Sequence, residues 1–516
     1  MRPIFLAACV VFLATRHVLW TPEMCRKQRD AHTFMPAGLV RCRVPPAAAR
    51  TTAVALPDGK PYSIGQLVDP VIIWVDPNTG VDQGRTGTNP ALPLKTFKAA
   101  WAKVPAKPTR PHRIRIKSGT FNQAQVGEWL EFKNGTYKAP IIVEAAAGAT
   151  VNFNAYVSVR FCRYLYFIGI RINFGGDSDG DHPFHAEGVT GLLMRKVRVR
   201  GKATGTPSTR EVVKFNQCKG VYVEQCDFAV ATDNAIDAVA VQIYNNIIYD
   251  LDEAPAISVY GGYNILVAHN TLYRVGSDGS SLFSIRQGLR SCDDDIPEQC
   301  TAYMAAGGWG QPGGQAEWSQ ISIPNRNVII ANNLAVQPPA HKPILFHFAV
   351  GAFYVLEPLP YCHEYSEGPC TLPAGLPTTV SADKGLVIRG NVIWDGPVDD
   401  NLGIHDEPGW QSGGCRNSHP TCNKDFVRAN NDINNQTQQP QLVNPAGGNF
   451  RLTPGSLPFF SKLWTIPKWA QWAPGGPSTP AGNLTNTILF DKEGAPRTGG
   501  YNAPGALVRV YPPDRH

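Results

Sequence analysis

The stretch VQIYNNIIYD (residues 241–250) decides the fold, because two asparagines interrupt a run of apolar residues that otherwise form strands. Asparagine is depleted from ordinary strands. The segment VYVEQCDFAV (221–230) has the same outline, with Cys226 in the asparagine position. An apolar run, an asparagine and a second apolar run also recur in ILVAHNTLYR (265–274), VIIANNLAVQ (328–337) and LVIRGNVIWD (386–395). A pattern that returns this often indicates a structural repeat.

Four asparagines occupy one position of this repeat: Asn246, Asn270, Asn333 and Asn391. They are 24, 63 and 58 residues apart, which predicts long loops between the later coils. Repeats of about 20–30 residues made of short strands are typical of a β-solenoid, in which coils bury each other's apolar faces. Equivalent residues then lie about 4.8 Å apart, so stacked asparagine amides can bond along the axis. Asparagine also accepts the left-handed backbone of a sharp corner.

Composition narrows the class of protein. The chain has 516 residues, of which 17% are charged, and it holds 49 glycines and 44 prolines, a balance that favours turns and strands over helices. The net charge is +7 and no long Lys/Arg run occurs, so nucleic acid is not expected as a partner. A mildly positive balance suits an acidic polymer.

The N-terminus carries one arginine and then an apolar run, Pro3–Ala14, which has the length of a signal-peptide core and is too short to span a bilayer. The alternative is an uncleaved anchor extended through Val18–Trp20, and no later segment predicts a stable membrane span. We expect a secreted monomer. Its expected parts are a signal peptide or anchor (1–22), a Pro/Ala-rich linker (23–65), a β-helix domain with inserted loops (66–460) and a tail packing on the solenoid (461–516).

The chain has 12 cysteines, and their clustering in loop-like segments predicts local disulfides, as in secreted proteins. Cys218 and Cys226 lie in strand-like surroundings and are expected to be small core residues. No CxxC occurs, so a structural zinc site is not expected. The candidate disulfide pairs are Cys292/Cys300, Cys362/Cys370, Cys415/Cys422 and Cys25/Cys42.

Distinct motifs precede and follow the repeats: WVDPNTG (74–80), PLKTFKAAWAKV (93–104) and RIRIKSGTF (113–121) at the entry, and PQLVNPAGGNFRLTPGSLP (440–458) at the exit. Helical spacing in 93–104 predicts a short helix that caps the first coil. With the asparagine repeats, these motifs resemble the secreted right-handed parallel β-helix proteins of the pectate-lyase-like superfamily. The resemblance implies an all-β parallel β-helix with an N-terminal helical cap and a loop-rich C-terminal tail. It does not imply one reaction, because the fold hosts lyases, hydrolases, epimerases and binding proteins.

In such families the substrate lies along the outer face of one sheet, which the resemblance places here in the strand after each corner. Alternation turns Phe215, Ile236, Ile257 and Ile285 inward. Outward residues two coils apart are separated by about 10 Å, a distance on the scale of a sugar. The candidate catalytic residues are Lys214, Arg286, Asp237, Tyr260 and His347. The candidate substrate-binding residues are His185, Ser258, Arg290 and His405.

These residue types suit β-elimination on an acidic polysaccharide. A cation neutralises the uronate carboxylate, a base removes the C5 proton, and an acid protonates the leaving oxygen. Lys214 or Arg286 is the candidate base if other cations crowd it, and Tyr260 or a histidine is the candidate acid. Two alternatives stay open. One is a glycoside hydrolase that uses Asp237 with nearby acids such as Asp252 and Glu253, and the other is a non-catalytic polysaccharide-binding surface protein.

Two acidic groups are candidate ligands for calcium. GGDSDGDH (175–182) supplies Asp177, Asp179 and Asp181 in a glycine-rich turn. ATDNAID (231–237) supplies Asp233 and Asp237, a spacing that resembles the D-D-x-x-D calcium cluster of one pectate lyase family with Asn234 in place of the middle acid. That family has a catalytic lysine downstream of its calcium cluster. No lysine matches it here, and His269 lies in an asparagine corner instead.

Overall fold

The chain divides into two compact units, 1–51 and 52–516. All residues that the structure, a computed structural model, describes belong to the second unit. They are 68–174, 182–201, 211–229, 233–251, 255–260, 262–275, 281–286, 288–289, 322–323, 326–338, 346–351, 386–394, 404–407, 439–456, 463–466, 491–493, 495, 497 and 503–507.

Short parallel strands stack into three sheets, and the chain visits each sheet once per coil. The first sheet contains β1 (Val71–Val75), β2 (His112–Ile116), β5 (Ile141–Ala145), β8 (Arg163–Ile168), β11 (Thr190–Arg195), β18 (Tyr263–Ala268), β23 (Arg326–Ala331) and β26 (Val387–Arg389). The second contains β3 (Gly119–Asn122), β6 (Val151–Asn154), β9 (Ile170–Asn173), β12 (Arg198–Arg200), β14 (Asp227–Ala229), β16 (Ile247–Leu251), β19 (Thr271–Val275), β24 (Leu334–Val336) and β27 (Val392–Trp394). The third contains β4 (Leu130–Glu131), β7 (Val157–Arg160), β10 (Phe184–Glu187), β17 (Ile257–Tyr260), β20 (Ser281–Arg286), β25 (Phe346–Gly351) and β28 (Ile404–Glu407).

Two long strands, β13 (Glu211–Glu224) and β15 (Asp233–Tyr244), belong to both the third and the first sheet. Both β10 and β11 pair with β13, and both β17 and β18 pair with β15, always in parallel. The remaining strands form two antiparallel pairs, β21 (Gly288–Leu289) with β22 (Ser322–Ile323) and β29 (Leu442–Asn444) with β30 (Asn449–Leu452). A 3-10 helix, Pro445–Gly447, joins the last pair.

The fold is a right-handed parallel β-helix, as the sequence predicts, with the hand that crossovers between parallel strands take. Ten registered positions of the first sheet show how the coils bury each other: Ile73, Ile114, Val143, Phe167, Met194, Val223, Ile243, Val267, Ile330 and Ile388. None of them exceeds 5% exposure. Burial of such a side chain stabilises the fold by about 1.5–3 kcal/mol, so each coil depends on its neighbours.

Two short helices lie at the N-terminal end, α1 (Phe97–Lys103) and α2 (Gln123–Val126). Thr96 caps α1 by accepting from the backbone N–H of Ala99. The ring of Phe97 packs against Phe153 of β6 with centroids 5.3 Å apart. The predicted helix therefore exists, and its apolar side packs on the first coils.

The asparagines form the predicted column. Asn246 Nδ2 donates to Asn270 Oδ1 at 3.0 Å, Asn270 Nδ2 donates to Asn333 Oδ1 at 3.0 Å, and Asn333 Nδ2 donates to Asn391 Oδ1 at 2.9 Å. All four are 0% exposed. Cys226 takes the next position, where its backbone N–H donates to Asn246 Oδ1. One expectation was wrong: the left-handed backbone belongs to the residue before each ladder asparagine, namely Gln225, Asn245, His269, Asn332 and Gly390.

Parts of the C-terminal region lie against these corners. Arg497 is buried and donates to Asn245 Oδ1 and to the carbonyls of Ala503 and Gly505, each at 2.7 Å. The backbone N–H of Trp464 donates to Asn332 Oδ1 at 2.9 Å. The contacts with Asn245 and Asn332 join residues more than 130 positions apart, so C-terminal segments pack against corners formed by the coils.

The cysteines with a described environment are buried: Cys162, Cys218 and Cys226. Each thiol faces a backbone carbonyl of the preceding coil, as Cys218 does with Ala186 at 3.3 Å. This agrees with a core role for Cys218 and Cys226, and all four candidate disulfide pairs lie outside the described residues. In the part of the chain that the structure covers, no helix has the length and apolar character of a membrane span.

Candidate functional site

The outward positions of the third sheet form two columns, which we name the first and second columns. The first column contains Ser158, His185, Lys214, Ala235, Ser258, Ser284, Ala349 and His405. The second contains Glu131, Arg160, Glu187, Asn216 and Asp237. Tyr260 and Arg286 are registered with each other and lie two residues after Ser258 and Ser284, so they continue the second column.

The predicted residues therefore share one sheet, but they are spread along it. His185 and His405 are six coils apart, or about 29 Å at the spacing of parallel strands. His347 lies in β25, two residues before Ala349. Proton transfer needs groups within about 3 Å of the reacting atom. These residues therefore cannot all belong to one reaction centre. Arg290, Asp177, Asp179 and Asp181 lie outside the described residues.

The inward stack differs from the prediction at one coil. Phe215 is registered with Ile236 as expected, but Ile236 is registered with Val259. Ile257 is buried and is registered with Phe283. The predicted alignment was off by two residues, because β15 and β17 pair with an offset of 23 where a 21-residue coil was assumed. Ser258 stays outside the core stack, yet it is 0% exposed.

A compact polar cluster, formed by His182, His185, Glu211, Lys214 and Asn216, lies where β10 meets β13. Nδ1 of His182 is 2.8 Å from Glu211 Oε2, and the Lys214 ammonium donates to Glu211 Oε1 at 3.3 Å. The side chains of His182 and Glu211 are only 9% and 10% exposed. A carboxylate this buried is stabilised only when it is paired.

The pKa of Glu211 reflects these neighbours. Burial alone would raise it, but the contact with His182 and the charges of His182 and Lys214 outweigh burial and lower the pKa to about 2. Glu211 is therefore ionised at neutral pH. Lys214, as its partner, supplies a positive charge at the outward face of the sheet.

His185 lies beside this ion pair on the same face. Its Nε2 is 3.2 Å from Asn216 Nδ2, and its ring meets the ring of His182 edge to face with centroids 5.3 Å apart. If Asn216 Nδ2 is the donor, His185 Nε2 is an acceptor and the imidazole is neutral. Asn216 Oδ1 is buried and has no hydrogen-bond partner. The cluster thus combines a cation, a titratable imidazole and an amide within two coils.

The N-terminal end of the face has a second group of contacts. Arg160 Nε is 2.9 Å from Glu187 Oε2, which forms an ion pair along the second column. The Arg160 guanidinium also lies 3.8 Å from the centroid of the Trp129 ring. Trp129 is 43% exposed.

A calcium site does not fit the described side chains. No group of three His, Cys, Asp or Glu side chains among them is placed to hold a metal ion. The backbone of Asp233 is registered with Glu211, whose carboxylate already contacts the nitrogens of His182 and Lys214. Calcium takes oxygen ligands, and the side chain of Asp233 lies outside the described ones. Calcium binding by Asp177, Asp179, Asp181 and Asp233 stays a prediction.

Sequence reasoning missed His182, Glu211 and Asn216, although it selected the nearby residues His185 and Lys214. Their common signal is position: they lie within three residues of His185 or Lys214 on strands that pair with each other. His182 and Glu211 are 29 residues apart in the chain, so their contact depends on the register of two coils. Trp129 and Arg160 were also missed, since the first coils lack the asparagine pattern.

Comparisons with known proteins give the following findings. No family model matches the chain, and no curated protein matches it. Among solved structures, the pectate lyase Pel9A is similar with 15% identity and a TM-score of 0.36, over 77% of this chain and 92% of that one. A rhamnogalacturonan lyase is similar with 11% identity and a TM-score of 0.24, over 54% of this chain and 84% of that one. The PL6 family alginate lyase AlyGC has 9% identity and a TM-score of 0.19, over 66% of this chain and 53% of that one. Likeness at this level carries no argument, so the fold assignment rests on the strand pairing.

Proposed function

We propose that this protein is a secreted carbohydrate-active enzyme that cleaves an acidic polysaccharide by β-elimination. The observation that carries the proposal is the cluster of His185 and Lys214 with the buried pair His182–Glu211, on the outward face of one sheet of a β-helix. A cation beside an imidazole on an extended sheet face suits a long polyanionic substrate.

The roles follow from the contacts. Lys214 would neutralise the uronate carboxylate, which makes the C5 proton more acidic. This differs from the predicted role of Lys214 as base, which required crowding by other cations, because its described neighbour is the Glu211 carboxylate. Nε2 of His185 would accept the C5 proton as the bond from C4 to the leaving oxygen breaks and a double bond forms between C4 and C5. Asp237 is registered with Asn216, one coil onward, where an acid would meet the leaving oxygen.

A second candidate centre uses Tyr260 and Arg286 further along the second column. Tyr260 is three coils from His185, or about 14 Å, so the two centres would cleave at different places along the groove. The first centre is preferred, since the contacts of His185 and Lys214 support it directly.

The glycoside hydrolase is the weaker alternative. Hydrolysis needs two free carboxylates about 5–9.5 Å apart. Two carboxylates of this face are engaged in ion pairs: Glu187 lies against Arg160, and Glu211 lies against His182 and Lys214. Asp252 and Glu253 lie outside the described residues. A binding protein without activity would use the same face.

The test is an assay of the purified protein on pectate, alginate and other polyuronates, with and without added calcium. β-Elimination gives an unsaturated product with ultraviolet absorbance, hydrolysis gives only new reducing ends, and a binding protein gives neither. We expect His185→Ala and Lys214→Ala each to lower the rate about 100-fold or more. Lys138→Ala, which removes an exposed lysine between β4 and β5, is the matched control. Full activity of the His185→Ala, Lys214→Ala double variant would move the centre to Tyr260 and Arg286, and reducing ends without absorbance would replace the lyase by the hydrolase.

A further inference from the structure

We propose that Trp129 is a sugar-stacking platform that forms the N-terminal end of the substrate groove. The platform would bind the apolar face of a pyranose ring in an acidic polysaccharide, several sugars away from the bond that is cleaved. This inference rests on the proposed function for its class of ligand.

The strand register places Trp129 at the head of the first column. Leu130 is registered with Val159 and Glu131 with Arg160, so the position of Trp129 is opposite Ser158. Ser158 is registered in turn with His185. Trp129 thus lies two coils from His185 and three from Lys214, about 10 and 14 Å along the groove. Ser158, which lies between Trp129 and His185, is buried.

The backbone leading to Trp129 is fixed. Asn122 and Gln125 form a reciprocal capping box at the start of α2. Gly127 ends this helix with a φ of +99°, which favours glycine. Gln123 Nε2 then donates to the Gly127 carbonyl at 2.8 Å. The indole therefore enters the sheet face from a short, defined turn.

One face of the ring is in contact with a cation. The Arg160 guanidinium stacks on it at 3.8 Å from the centroid, and Glu187 fixes Arg160 from the next coil. Of the large apolar side chains that are exposed in the described part of the protein, Trp129 alone is aromatic. By contrast, Trp101 is 7% exposed in the core. Arg160 covers one face of the ring and 43% of Trp129 is exposed, so the ligand is assigned to the exposed part of the indole.

The chemistry of this surface suits a sugar ring. A pyranose presents C–H groups on one face, and a rigid aromatic ring packs on them at a low cost in conformational entropy. Arg160 is already paired with Glu187. The platform would therefore contact the apolar face of the sugar ring and not the carboxylate of the sugar. Its contribution to affinity should therefore persist in salt, whereas the contribution of the Lys214 charge should weaken.

The experiment measures binding of pectate oligomers by titration calorimetry, separately from turnover. We expect Trp129→Ala to weaken binding of a long oligomer by about twofold to tenfold, at low and high salt alike, and to leave binding of a disaccharide unchanged. Trp129→Phe should retain most of the affinity. Leu92→Ala, which removes another exposed apolar side chain, is the control, and thermal unfolding of each variant checks that it folds.

The outcomes separate this inference from the proposed function. If the wild-type protein binds the long oligomer through Trp129 but releases no unsaturated product, the lyase proposal fails and the platform stands. If Trp129→Ala binds the long oligomer as the wild type does while activity on pectate is present, the platform is refuted and the lyase stands. Equal loss for the disaccharide and the long oligomer would also refute a platform remote from the reaction centre. If the wild type binds no pectate oligomer, the assigned ligand is wrong and the inference is overturned.

Discussion

The asparagine column should be a large contributor to stability, and Asn270→Leu tests it. The Asn270 side chain makes four hydrogen bonds. Its Oδ1 accepts from the backbone N–H and from Nδ2 of Asn246, both at 3.0 Å, and its Nδ2 donates to Ile243 O and to Asn333 Oδ1. Leucine has a similar volume, so the change removes these bonds without a large cavity.

The magnitude follows from the groups that would be left without partners. Asn333 Oδ1 keeps the backbone N–H of residue 270, so it is not orphaned. The backbone N–H of Asn246 and one Nδ2 hydrogen of Asn246 lose their acceptor in a site that is 0% exposed. Each buried unsatisfied donor costs about 1–3 kcal/mol. We therefore expect Asn270→Leu to lower the free energy of unfolding by about 2–6 kcal/mol.

The assay is urea unfolding followed by far-ultraviolet circular dichroism, with the change in midpoint multiplied by the slope. Asn154→Ala is the matched control, because Asn154 is exposed at the end of β6 and should change the free energy by less than about 0.5 kcal/mol. If Asn270→Leu is no more destabilising than Asn154→Ala, the column does not stabilise the coils and this reasoning is wrong.

Two pH effects follow from the buried titratable groups. The pKa of Glu211 falls from 4.5 to about 2. Its contribution to the free energy of unfolding should therefore be present above pH 4.5 and lost as the pH falls through about 2. In acid unfolding, the wild type should be more stable than Glu211→Gln above this window, and the difference should disappear within it. Burial, and then the charge of Arg497, hold the pKa of His269 well below its usual range, so the unfolded chain takes up a proton first as the pH falls below about 6.5. The free energy of unfolding should then drop by up to about 1.4 kcal/mol per pH unit. His269→Asn, which suits the same left-handed corner, should remove that part of its pH dependence. If the pH dependence is unchanged in this variant, His269 does not titrate on unfolding.

The sequence by itself determined the coil. Its signal is local and repeated: an apolar run, a corner and another apolar run. Stacking makes equivalent residues neighbours, so Asn246, Asn270, Asn333 and Asn391 could be aligned without knowing the loops between them. The same alternation identified the outward face that contains His185 and Lys214. These inferences succeeded because strand alternation and coil stacking depend little on distant parts of the chain.

Tertiary structure alone decided which outward residues meet. β13 and β15 pair with offsets of 22, 21 and 20 residues along their length, so a single repeat length aligns only part of the face. The contact of His182 with Glu211 and the seat of Arg497 on Asn245 join residues 29 and 252 positions apart. The physical reason is that a coil can gain or lose a residue at a bulge or turn while its buried apolar positions stay in register. Core stacking constrains the inward side chains at every coil, but the partners of outward side chains depend on those local irregularities.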